Sequence, residues 1–200
     1  PQMKDRFEVL HPGSLPEDQS RKDYYESSNL FDSYLEAYED ILNIKVEELR
    51  GKKVLDMGGM ISGDFPERAK EAGVDLVVLD PQNPYGATGG NNVIGIMQEL
   101  PFSNDVFDYV ISQGSIPYIP NYEEEYATVF SEALRVLKSG GKAVIAPILK
   151  HVKDSNILKS IIDNFGQSAS VTLEQLPSDE YSINADGTPK EFYRVTIVKN

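Results

Sequence analysis

The order of apolar and polar positions divides the chain into three stretches. Over residues 1–28 apolar residues are sparse. Phe7, Val9 and Leu10 stand apart among Pro1, Pro12, Gly13, Pro16 and many charges, with no helical period. That stretch reads as an arm or loop ending at Tyr24-Tyr25, either a tail or a lid over a site. From Asn29 the spacing changes. Leu30, Phe31, Tyr34, Leu35, Tyr38, Ile41 and Leu42 recur at helical intervals, which predicts a helix capped by Asn29 and running to about Arg50, with Gly51 as its stop.

The next hundred or so residues alternate between two periods. Val54-Leu55-Asp56-Met57 reads as a short buried strand. Asp64, Pro66 and Glu67 carry the signals of a helix start, and Gly73 ends that helix. Val74 to Leu79 is nearly unbroken apolar sequence, the pattern of a strand covered on both faces. A Pro/Gly/Asn loop fills 81–92. Val93–Met97 and Phe107–Ser112 predict two further strands. Tyr122–Leu137 predicts a helix that buries Tyr126, Val129, Phe130, Ala133, Leu134 and Leu137, with Glu123-Glu124-Glu125 as solvated surface near its start. Ser139-Gly140-Gly141 then turns the chain into a fifth strand, Lys142–Ile148.

The third stretch changes style. Asp154 caps a helix whose apolar face is Ile157, Leu158, Ile161, Ile162 and Phe165. Two strands follow, about 169–176 and 191–198, joined by a polar loop holding Asp186-Gly187. Alternating strands and helices imply a doubly wound, parallel α/β sheet. The last two strands have no helix between them and must pair antiparallel. Seven strands are expected, flanked by helices, with no internal repeat.

Two hundred residues make one domain, 29–200, after the arm at 1–28. The absence of cysteine excludes disulfides, iron–sulfur clusters, thiolate zinc sites and a cysteine nucleophile. With 19 basic against 32 acidic residues the net charge is −13, which opposes general binding of nucleic acid. No apolar run is long enough to span a bilayer and the N-terminus is polar, so no membrane association and a cytoplasmic location are expected. Oligomeric state is not legible.

In an open α/β sheet, ligands bind beyond the carboxyl ends of the strands. Here the first strand exits through Gly58 and Gly59, and the next helix points its N-terminus into the same space. Asp80, at the end of the second strand, is placed to accept both hydroxyls of a ribose. Together they favour an adenosine-containing ligand. Gly58 and Gly63 have the spacing of a phosphate loop, but Asp64 and Phe65 follow where Lys and Ser/Thr are required, so nucleoside triphosphates are excluded. Met60 occupies the middle glycine position of a dinucleotide fingerprint and disfavours NAD.

Three blocks then resemble the class I S-adenosylmethionine-dependent methyltransferases, above all their small-molecule branch. Val54-Leu55-Asp56-Met57-Gly58-Gly59 is similar to the family's first motif. The run from Glu99 through Leu100-Pro101-Phe102 to Phe107-Asp108-Tyr109-Val110 is similar to its Leu-Pro-Phe block. Glu132-Ala133-Leu134-Arg135-Val136-Leu137-Lys138-Ser139-Gly140-Gly141 is similar to the helix and turn before its fifth strand. The resemblance implies a Rossmann-like seven-stranded sheet with an antiparallel last strand, S-adenosylmethionine as cofactor and a small-molecule acceptor. It implies Asp56 near the methionine amino group, Gly58 and Gly59 beside the carboxypropyl chain, and Asp80 on the ribose. It further implies Met97 and Gln98 flanking adenine, and Ser112 and Gln113 lining the methionine side. Tyr118 would stand where acceptors enter.

Two positions depart from that pattern: Met60 where a second glycine is usual, and Ile96 where an adenine-binding Asp is common. Methyl transfer by this family is a direct in-line displacement that needs alignment and desolvation more than a general base. The residues offer His151, His11, Tyr24 and Tyr25 near such a pocket, but no catalytic residue, metal cluster or Ser/His/Asp set stands out. A catalytically silent binding or partner subunit and a nicotinamide-linked α/β enzyme remain open alternatives at this point.

Overall fold

The computed structural model describes residues 38–59, 64–81, 91–116, 122–150, 153, 156–176 and 191–200. The chain runs β1 (Lys53–Met57), α1 (Asp64–Glu71), β2 (Asp75–Asp80), β3 (Asn91–Ile94), β4 (Phe107–Gln113) and α2 (Tyr122–Val136). It continues through β5 (Leu137–Leu149), α3 (Asn156–Phe165), β6 (Ala169–Gln175) and β7 (Phe192–Lys199). The strands form one sheet in the order β3-β2-β1-β4-β5-β7-β6. The first five are parallel to one another, and β7 is antiparallel to both β5 and β6. The expected seven strands and antiparallel ending are therefore present.

Side chains alternate across the sheet, so each covered strand feeds two cores. Leu55, Met57, Val77, Leu79, Val110 and Ile145 pack with Tyr126, Phe130, Ile161 and Phe165 of α2 and α3. Val54, Leu76, Val78, Ile111 and Val144 face the other way, against Tyr38, Leu42, Val46, Leu49, Phe65 and Ala69. This two-sided cover is why Val54-Leu55 and Leu76–Leu79 are consecutive apolar residues rather than alternating ones. Each fully buried Leu, Ile or Phe contributes about 1.5–3 kcal/mol.

Four details differ from expectation. The predicted helix over 29–50 is helical at 38–42, after which Asn43 takes a positive φ of 51° and the Ile44 N–H bonds to the Glu39 carbonyl at 3.1 Å. That left-handed C-terminal cap ends the helix early, and a 3-10 turn, Val46–Leu49, carries the chain on to β1. The start of that helix lies outside the described residues. The third strand is Asn91–Ile94 rather than 93–97; at the sheet edge only β2 supports it, and residues 95–99 turn back through an Ile96–Glu99 bridge. The fifth strand starts at Leu137, which pairs with Phe107 before Ser139-Gly140-Gly141 bulges out and pairing resumes at Lys142. Finally, Ile162 is exposed, and the apolar face of α3 rests on Leu158, Ile161 and Phe165.

The Leu-Pro-Phe block and the Glu132–Arg135 helix turn are held together by one ion pair. Arg135 Nε donates to Glu132 at 2.7 Å, and its guanidinium donates to the carbonyls of Phe102 at 2.7 Å and Leu100 at 3.0 Å. Glu132 in turn accepts the Leu100 N–H at 2.7 Å. A fork of donors suits several carbonyls at once, so α2 fixes the loop that follows β3 by its backbone.

Candidate functional site

Strand order reverses between β2-β1 and β4-β5, so the carboxyl ends of β1 and β4 form the switch point of the sheet. Register brings the strand ends level: Asp56 pairs with Val78 and Ile111, and Asp80 with Ile94. Alternation along β1 turns Asp56 towards the layer containing Tyr38 and Phe65. Asp56 is buried at 2% exposure, and the Tyr38 hydroxyl donates to its carboxylate at 3.0 and 3.3 Å. Tyr38 is itself held by stacking on Phe65 with ring centroids 4.7 Å apart. Burial pushes the Asp56 carboxyl up to about 7; the Tyr38 hydrogen bond pulls it back in part, and the charge of Asp80 raises it further.

The turn after β1 is packed from both sides. Gly58 has a φ of 72°, and a Cβ there would lie 2.5 Å from the Ser115 Cβ and 2.6 Å from the Met97 methyl. A Cβ at Gly59 would overlap the Asp56 carboxylate. The protein's own packing therefore demands both glycines, the first by backbone conformation and the second by close approach. The turn is pinned by the Gly58 N–H on the Leu79 carbonyl at 2.6 Å and by the Ser115 hydroxyl on the Gly58 carbonyl at 2.8 Å.

Of the other expected site residues, Asp80 sits half-buried at the end of β2. Met97 is buried against Gly58. Gln98 donates its amide to Glu125 of α2, so Glu125 is a partner of the strand-end loop rather than plain solvated surface. Ser112 is buried and donates to the Met57 carbonyl at 3.0 Å, tying β4 to β1. Gln113 ends β4 and its carbonyl accepts from Ser115 at 3.1 Å. The structure thus gathers Asp56, Gly58, Gly59, Asp80, Met97, Ser112 and Gln113 at one end of the sheet. Met60, Tyr118, His151, His11, Tyr24 and Tyr25 lie outside the described residues.

Ser115 and Tyr38 were missed by sequence reasoning. Ser115 gave no signal, because its role depends on which carbonyl the β4 exit meets. Tyr38 was legible only as one member of an apolar helical face. Among the described residues no group of three or more His, Asp or Glu is placed to hold a metal, and no helix is long and apolar enough to cross a membrane.

The methyltransferase domain family matches residues 55–145, from β1 into β5 and including both carboxylates and the glycine turn. Residues 55–145 are thus a methyltransferase domain, carried on the fold of S-adenosylmethionine-dependent methyltransferases. Its sequence is 31% identical over 150 residues to rice 2-methyl-6-phytyl-1,4-hydroquinone methyltransferase 1, covering 70% of this chain and 39% of the rice protein. The chain spans between about a quarter and two fifths of the curated relatives it matches. Among solved structures, geranyl diphosphate C-methyltransferase from Streptomyces coelicolor A3(2) superposes with a TM-score of 0.63 at 14% identity, covering 100% of this chain and 98% of that one. A TehB-like S-adenosylmethionine-dependent methyltransferase from Corynebacterium glutamicum superposes with a TM-score of 0.57 at 20% identity, covering 92% and 100%. These likenesses establish the fold of the methyltransferase domain.

The residues present fit the family's cofactor, S-adenosylmethionine. A buried carboxylate at the end of β1 suits an ammonium group, and a half-buried carboxylate at the end of the neighbouring β2 suits a vicinal diol.

Proposed function

We propose that the protein transfers the methyl group of S-adenosylmethionine to a small-molecule acceptor. The observation that carries this reading is the pair of carboxylates, Asp56 and Asp80, at the carboxyl ends of adjacent strands on either side of the packed glycine turn. Asp56 takes the amino group of the methionine portion and Asp80 the ribose hydroxyls. Gly58 and Gly59 shape the backbone along which that portion runs. Met97 and Gln98 flank the adenine, and Ser112 and Gln113 line the methionine side. Tyr118 is the residue proposed to contact the acceptor. The acceptors in the relatives' names, a phytyl hydroquinone and geranyl diphosphate, support a small molecule over a macromolecule.

When bound, S-adenosylmethionine supplies a methyl group on a cationic sulfur that is already a good leaving group. The chain's part is to orient the cofactor, exclude water and present the acceptor in line. That division of labour agrees with a site whose described residues contain anchoring groups and no obvious general base.

The test is calorimetric binding of S-adenosylhomocysteine to the wild type and to Asp80→Ala, with circular dichroism as the check on folding. Loss of a two-hydroxyl acceptor lowers affinity at least about tenfold. Equal affinity in a folded variant would remove Asp80 from the site.

A further inference from the structure

The layer that covers Asp56 is tied to a strand far from it in sequence. Arg194, on β7, is only 5% exposed and faces the 38–42 helix. Its guanidinium donates to the carbonyls of Ile41 at 2.9 Å and Asp40 at 3.3 Å, and to Glu174 of β6 at 2.6 Å. Asp40 and Ile41 lie in the last turn of that helix, where carbonyls have no intrahelical partner. A buried cation there satisfies them and suits the negative end of the helix. Tyr38 sits in the same helix, two and three residues earlier, with its hydroxyl on Asp56 and its ring on Phe65. A continuous path of contacts therefore runs from β7 through the helix end to the strand-end carboxylate.

We propose that Tyr38 is a positioning residue for the amino-acid end of the cofactor, orienting the Asp56 carboxylate, and that Arg194 fixes the helix that presents it. The proposal rests on the methyltransferase reading above. A carboxylate has about four acceptor sites, so the Tyr38 hydroxyl and a ligand ammonium are accommodated together. Without the hydroxyl, the carboxylate loses a donor that selects its orientation and favours its charged form. The effect must then fall on ligands that carry the amino-acid portion and spare those that lack it.

The experiment compares two probes on three proteins. S-adenosylhomocysteine carries the amino-acid chain, and 5′-methylthioadenosine presents the same nucleoside without it. Each is titrated calorimetrically into the wild type, Tyr38→Phe and Arg194→Met. Phenylalanine keeps the ring on Phe65, so Tyr38→Phe is expected to fold. It should weaken S-adenosylhomocysteine about tenfold and leave 5′-methylthioadenosine within about twofold. Arg194→Met should show the same selectivity with a smaller loss, and it carries the test if Tyr38→Phe fails to fold. Equal weakening of both probes would reduce Tyr38 and Arg194 to general structural roles and overturn the proposal. Tighter S-adenosylhomocysteine binding by Tyr38→Phe would also overturn it, since the hydroxyl would then compete with the ligand. A wild type that binds neither probe would overturn the functional reading itself, a result distinct from both.

Discussion

Asp56 should make the ligand-free protein less stable as pH rises towards neutrality, opposite to the effect of a salt-bridged carboxylate. Its carboxyl is held at about 7 in the fold, against 3.8 for an exposed aspartate. Between those values the folded chain retains a proton that the unfolded chain has lost. Stability from this group is full below the lower value and declines as pH climbs through the upper one. At 1.36 kcal/mol per pH unit, a rise of about three units amounts to an energy on the order of 4 kcal/mol. The perturbation is Asp56→Asn, which has no proton to lose. The assay is urea unfolding of both proteins at several points from about pH 4 to pH 8. Glu39, Asp108 and Glu132 are shifted the other way, downward, through hydrogen bonds and nearby cations. They add a rising slope at acid pH, but both proteins share it. The difference, variant minus wild type, should therefore grow with pH in favour of the variant, by roughly that magnitude. A constant difference across the range would show that Asp56 ionises in the fold as it does in the unfolded chain, and would refute the reasoning from burial.

Two further outcomes are expected. Gly58→Ala, which meets both an unfavourable φ and the Ser115 and Met97 side chains, should cost about 2–4 kcal/mol in urea unfolding. Gly73→Ala, with a φ of 75° but open space, should cost only about 1–2 kcal/mol, so equal losses would dismiss the crowding. Arg135→Ala removes the donors on the Leu100 and Phe102 carbonyls and takes the cation away from Glu132. It should lower unfolding free energy by about 2–3 kcal/mol, and a loss below the error of the measurement would mean that the loop is held without it.

The sheet was legible because its signals are local. Residues 54–57 and 74–79 are apolar at all but Asp56 and Asp75, the pattern of strands covered on both faces, and Gly73 closes the helix between them. The candidate site was legible for a related reason: strand ends in a parallel sheet must converge, so Asp56, the glycine turn and Asp80 could be placed together from spacing alone. Longer-range choices escaped. The helix before β1 keeps its apolar period past residue 42, yet the chain breaks at Asn43, where a left-handed cap closed on Glu39 by the Ile44 and Val46 N–H groups outweighs that period. The apolar pattern starts the third strand at Val93, two residues after its actual start, since Asn91 and Asn92 carry no strand signal and pair because β2 lies beside them. A run of three acids predicts solvent-facing side chains, and nothing in that run marks Glu125 as the one that meets Gln98. Arg194 sits between Tyr193 and Val195 in the strand Phe192–Lys199, and its role depends on a helix more than 150 residues away.

The central claim is that the carboxyl ends of β1, β2 and β4 form a site for S-adenosylmethionine. The most direct measurement is calorimetric titration of the folded wild-type protein with S-adenosylmethionine and S-adenosylhomocysteine, with NAD as control. Saturable binding of the first two, in the micromolar range, with none for NAD, is the expected result. A folded protein that takes up NAD alone, or none of the three, would contradict it.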